Sequence, residues 1–255
     1  MGNTTIAQHL FLLAGQSNAN GQGDSKKSNL YKRDKAFEYN VLLDSVIPLK
    51  DPVGQKWKLL ETANTGSILP AFVQTFTNIT KQNVIIITAS RGGSSCSVKA
   101  ELSNYSTWDE HGELFNQAIE KTNMAIAKTK QKLDGIIWMQ GERDANAIND
   151  GKLFADEYQA CLENIVQRFR QHYGCNLPFY MVQTGNQSGR PNDGNIAVRN
   201  KQVSVSKKLS HVFIAYSNTE SFFEKKWMKD NVHYNQDALN DIGETIGRLI
   251  SSHSL

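Results

Sequence analysis

Residues 11 to 23 read FLLAGQSNANGQG. The apolar run Phe11 to Ala14 stops abruptly at small and polar residues, as a buried strand does where it reaches the edge of a sheet. Gly15, Gly21 and Gly23 supply the backbone freedom of a tight turn, and Ser17 and Asn18 are capping types that suit the start of a helix. A serine on a sharp strand-to-helix turn has the exposure that a nucleophilic hydroxyl needs. Free backbone N–H groups around it suit a developing oxyanion. The same letters also describe an ordinary turn capped by Ser17, and the stretch alone does not choose between the two.

The remaining pattern gives this turn its setting. His9 to Ala14 reads as the first strand. Asn83 to Ala89 (NVIIITA), Leu133 to Gln140 (LDGIIWMQ), Leu177 to Thr184 and His211 to Tyr216 read as further strands, the first two continuous enough to be buried on both faces. Between them, helical spacing covers Leu69 to Thr80, residues 112 to 131, residues 151 to 172 and Ile196 to Leu209, and Asn235 to Ser252 closes the chain. Residues 24 to 70 lack periodicity and predict an irregular excursion with hairpin pieces around Lys56 to Thr62. Strands alternating with helices imply a mainly parallel sheet with helices on both faces and right-handed crossovers. The expected fold is a single-domain, three-layer α/β/α sandwich of flavodoxin-like type over residues 1–255, with no linker and no repeat. In such sheets the loops after the strand C-termini build the site. Four polar clusters fall there: Gly15 to Asn18, Arg91 to Ser95, Gln140 to Asp144, and the loop from Gly185 to Asn195.

Composition removes several classes. The chain has 255 residues, 39% of them hydrophobic and 21% charged, and a net charge of +3. So small a charge gives no strong field for nucleic acid or an anionic membrane. No stretch approaches the roughly 18 apolar residues of a membrane span. Cys96, Cys161 and Cys175 are too few and too scattered for a disulfide framework or a zinc site. No signal peptide is visible, so the expected location is the cytoplasm, or the chain is a mature form of a secreted protein.

A nucleophilic serine needs a base, and the base needs an orienting group. Of six histidines, His233 is the best placed. It lies in Asp230-Asn231-Val232-His233, on a loop before the last helix, where a carboxylate three residues earlier folds back on the imidazole. His9 and His211 start strands, at the wrong edge of the sheet, while His111 sits in a loop after Trp108.

Taken in order, these blocks resemble the SGNH hydrolase superfamily, and within it the branch of sialate O-acetylesterases and family 6 carbohydrate esterases (acetylxylan esterases). The matching blocks are Gly15-Gln16-Ser17-Asn18, Arg91-Gly92-Gly93-Ser94, Trp138-Met139-Gln140-Gly141-Glu142-Arg143-Asp144-Ala145, and Asp230 to His233. Val198 to Gln202 resembles a further R-x-x-Q block, read as structural. The resemblance implies a Ser17–His233–Asp230 triad. It also implies an oxyanion hole made by the N–H groups of Ser17 and Gly93 (favoured over Gly92) and by the Gln140 side chain. Gln16, Asn18, Arg91, Gly92 and Glu142 support the site or bind substrate in this reading; Asp144 caps the following helix. Trp108 either stacks on a sugar ring or belongs to the core. The implied activity is a serine esterase that removes O-acetyl groups from a carbohydrate, with no cofactor and no metal ion. The alternatives are a general short-chain carboxylesterase of the same fold and a catalytically silent carbohydrate-binding relative. Neither the oligomeric state nor the glycan follows from the letters.

Overall fold

The computed structural model describes residues 8–254. Seven strands form one sheet: β1 (Gln8–Gly15), β2 (Ala36–Asn40), β3 (Ser45–Pro48), β4 (Asn83–Ser90), β5 (Gly135–Met139), β6 (Phe179–Val182) and β7 (Val212–Tyr216). Their spatial order is β3-β2-β4-β1-β5-β6-β7, parallel throughout except for the antiparallel β2–β3 pair. The helices are α1 (Ser17–Asn20), α2 (Leu69–Thr80), α3 (Leu114–Thr129), α4 (Glu142–Asn149), α5 (Ala155–Tyr173), α6 (Asp193–Lys208) and α7 (Gln236–Ser254).

The central strands are apolar on both sides because both sides are covered. Leu10, Leu12 and Ala14 of β1 point into one core with Ile85 and Ile87 of β4, where Ala118 of α3, Leu162 of α5 and Val198 of α6 join them. Phe11 and Leu13 point into the other, with Phe72 and Phe76 of α2 and Leu239, Ile242 and Ile246 of α7. The apolar stripe of α7 recurs every three or four residues, one face of a helix. Each such buried Leu, Ile or Phe contributes roughly 1.5–3 kcal/mol. These layers realise the expected three-layer sandwich.

After β1 the chain places β2 two positions away, adds β3 outside it at the edge and returns with β4 between β2 and β1, then crosses β1 to add β5, β6 and β7 on the far side. The direction therefore reverses at β1, and ligands bind at such reversals, beyond the strand C-termini. Gly15 is in register with Ser90 on one side and Met139 on the other, so the loops after β4, β1 and β5 leave the sheet side by side.

Three expectations are corrected. The excursion contains a true hairpin, but at β2–β3 rather than around Lys56 to Thr62, where only a Trp57–Leu60 bridge forms. Strand β2 was hidden because Glu38 faces inward. It is 5% exposed and accepts from the Gly54 N–H at 2.9 Å, so a charge sits where alternation calls for an apolar residue. The block after β5 folds directly into α4, and α6 begins at Asp193 rather than Ile196.

Candidate active site

The turn after β1 exists because β5 comes very close. Gly15 has φ 142°, and a Cβ there would lie 2.0 Å from the Met139 carbonyl oxygen. The Gln16 N–H donates to that same oxygen at 2.9 Å. The N–H groups of Ala19 and Asn20 then donate to the Gln16 carbonyl, which starts α1 with Ser17 as its first residue. None of the described residues accepts the Ser17 N–H.

Ser17 lines a cleft of about 400 Å³ together with Gly93, Tyr105, Glu142, Arg143 and His233. No hydrogen bond joins Ser17 Oγ to His233 among the described residues. Catalytic contacts are often long before substrate binds. The His233 Nδ1 pairs with Asp230 Oδ2 at 2.8 Å. The other carboxylate oxygen accepts the N–H groups of Val232 (2.9 Å) and His233 (2.8 Å). Burial raises the Asp230 carboxyl, but these hydrogen bonds outweigh it and hold it below its ordinary value.

Asn18 joins this loop to the rest. Its Nδ2 donates to Glu142 Oε1 at 2.7 Å and to the Val232 carbonyl at 3.3 Å, while its Oδ1 accepts the Tyr234 N–H at 3.1 Å. It thus grips the backbone on both sides of His233. Glu142, at the start of α4, is 5% exposed, and burial pushes its carboxyl up. Its Oε2 has no partner among the described residues. Gln16 Oε1 accepts the N–H groups of Gly141 and Arg143, both at 3.3 Å, tying the first turn to α4.

Two expected roles are corrected. The Gln140 amide does not face the cleft. It is 1% exposed and donates to Asp144 Oδ2 (2.5 Å), Gln16 Oε1 (3.3 Å) and the Ser94 carbonyl (3.3 Å). Its own Oε1 accepts from the Cys96 thiol. The motif identifies the residue, but not the direction its amide takes. Asp144 does not cap α4, which has no side-chain cap: it accepts the N–H groups of Cys96 (2.9 Å) and Ser97 (3.2 Å), and burial pushes its carboxyl up to about 6. Trp108 is fully buried, packs edge-on against Trp138 at 5.0 Å and donates its indole N–H to Ser94 Oγ at 3.1 Å. It braces the second loop from behind, out of reach of a sugar.

The loop after β4 also carries the Gly92–Gly93 pair. Gly92 donates its N–H to Glu61 Oε2 at 2.7 Å. Gly93 has φ 71°, and none of the described residues accepts its N–H. The Arg91 guanidinium is paired with Glu61 Oε1 at 2.6 Å and lies 5.2 Å from the centre of the Tyr105 ring. Glu61 and Tyr105 were missed, since both sit in aperiodic stretches and no motif letter points to them. Among the described residues, no group of three or more His, Cys, Asp or Glu is arranged to hold a metal ion.

Parallel sheet, strand order and this edge of polar loops define an SGNH-type hydrolase fold. Residues 7–252 match the family described as carbohydrate esterase, sialic acid-specific acetylesterase, and the chain belongs to that family of hydrolases. Among solved structures, it is similar to a protein from Arabidopsis thaliana (17% identity, 97% of this chain and 98% of that one, TM-score 0.70). It is also similar to a carbohydrate acetylesterase from Xanthomonas citri (17% identity, 96% of this chain and 57% of that one, TM-score 0.60). A lipase/acylhydrolase from Enterococcus faecalis shares the fold at 13% identity, over 97% of each chain, with a TM-score of 0.50. No curated protein matches in sequence.

Proposed function

We propose that the protein is a serine esterase that removes O-acetyl groups from a carbohydrate, such as acetylated xylan, sialic acid or a related glycan, through Ser17, His233 and Asp230. One observation carries this reading: Ser17, on the turn at the sheet's reversal point, shares a cleft with a histidine whose far nitrogen is held by a carboxylate.

Ser17 Oγ attacks the acetyl carbonyl while His233 Nε2 takes its proton. Asp230 remains ionised, fixes the tautomer and stabilises the imidazolium. The N–H groups of Ser17 and Gly93 receive the oxyanion. The intermediate collapses as His233 returns the proton to the departing sugar oxygen. Water, activated by His233, then releases acetate from the acetyl-serine. Gln140 and Asp144 act from behind, by holding the loop that carries Gly93.

The test is acetate release from p-nitrophenyl acetate, acetylated xylan and O-acetylated sialic acid, for the wild type beside Ser17→Ala and His233→Ala. Both substitutions are expected to lower kcat by about 10³-fold or more. Hydrolysis undiminished in Ser17→Ala contradicts the reading.

A further inference from the structure

We propose that Glu61 is a positioning residue, one that fixes the loop after β4 so that Gly93, and not Gly92, offers its N–H to the oxyanion. The inference rests on the esterase reading above. Glu61 lies in the long excursion between β3 and α2, far from every motif block in sequence. Its backbone N–H donates to the Ser90 carbonyl at 3.0 Å, which seats it at the end of β4. Its side chain then makes three polar contacts at once. Oε2 accepts the Gly92 N–H (2.7 Å) and Asn20 Nδ2 (2.8 Å), and Oε1 accepts Arg91 Nη1 (2.6 Å).

These contacts join two segments whose spacing matters for the chemistry. Asn20 belongs to α1, the helix that Ser17 begins, and its Oδ1 in turn accepts from Ser90 Oγ. Gly92 belongs to the second loop. A Cβ on Gly92 would lie 3.1 Å from Glu61 Oε2 and 3.8 Å from the Ser17 Cβ, so the carboxylate, the loop and the nucleophile are immediate neighbours. With its N–H committed to Glu61, Gly92 has no donor left for substrate. Gly93 lines the cleft with its N–H still free of any acceptor among the described residues.

A carboxylate this close to a developing oxyanion works against it unless its charge is compensated. The Arg91 ion pair supplies that compensation, and the guanidinium lies 5.2 Å from the centre of the Tyr105 ring. Glu61 therefore acts through the loop, by donor geometry, and touches no reacting atom.

The test compares Glu61→Ala and Glu61→Gln with the wild type and Ser17→Ala. The readouts are kcat and KM on p-nitrophenyl acetate, the rate at which a p-nitrophenyl phosphonate modifies Ser17, and the melting temperature. Glu61→Ala is expected to lower kcat and the phosphonylation rate together, by about 10²-fold, the size of losing one oxyanion donor, with KM within about twofold. Glu61→Gln, which keeps an acceptor oxygen for Gly92, recovers most of that loss. The proposal is overturned if Glu61→Ala keeps kcat, if it raises KM alone, or if Glu61→Gln is as impaired as Glu61→Ala at a temperature where both are folded. Activity retained in Ser17→Ala overturns instead the esterase reading beneath it.

Discussion

Two regions meet at the same cleft by different routes. The turns at residues 15–18, 91–95 and 140–144 are delivered by three adjacent parallel strands whose ends are level, so the sheet itself aims them. The excursion from residue 24 to 68 has only the short β2–β3 hairpin in the sheet, yet it brings Glu61 against Gly92, Arg91 and Asn20 through polar contacts. A residue placed by a buried strand is encoded by hydrophobic pattern. One placed by hydrogen bonds is encoded by a few letters with no period.

The largest expected effect tests the chemistry that both regions serve. Asp230→Asn leaves the loop in place but removes the negative charge behind His233, and kcat is expected to fall by about 10⁴ with KM little changed. Steady-state kinetics on p-nitrophenyl acetate check it, and a loss of less than tenfold separates Asp230 from the chemistry. Next, Gly15→Ala forces a side chain into the Met139 carbonyl at a positive φ, so about 2–5 kcal/mol of stability is expected to go. Urea unfolding reads this directly. A neutral result means that β1 and β5 do not approach as closely as described.

A smaller effect separates wall from brace. Trp108→Phe is expected to cost about 1–3 kcal/mol of stability, with KM for glycan substrates unchanged, because the indole is buried against Trp138. A raised KM at unchanged stability restores Trp108 to the substrate.

The last effect is a pH dependence, read at Lys121, whose charge Glu38 of the second region favours. Lys121 of α3 is fully buried, donates to the Thr88 carbonyl at 2.8 Å and is pushed down to about 8 by burial, against the opposing pull of Glu38 on β2. Between about 8 and its ordinary value of 10.5, the unfolded chain therefore binds more protons than the folded one, so stability rises with pH across that window. Subtracting the urea-unfolding profile of Lys121→Met from that of the wild type is expected to isolate this rise. A flat difference shows that Lys121 titrates normally.

The same contrast explains what was legible in the chain. NVIIITA and GIIWM announce β4 and β5 because nothing but a doubly covered strand tolerates such runs. AFEYN does not announce β2, because the inward Glu38 breaks the alternation and is accommodated only by the Gly54 N–H sixteen residues away. In the site, the blocks named Ser17, His233 and Asp230, which share or adjoin one cleft. They misdirected the amide of Gln140, whose orientation depends on Asp144, Gln16 and Cys96 together. Glu61 had no signal at all until the fold set it beside Gly92.

The most direct measurement is mass spectrometry of the protein quenched in acid during turnover of p-nitrophenyl acetate, with the modified peptide sequenced. The account predicts one acetyl group, on Ser17, accumulating in the wild type and absent from His233→Ala. An acetyl group on another residue, or turnover with no acetylated protein at all, contradicts it.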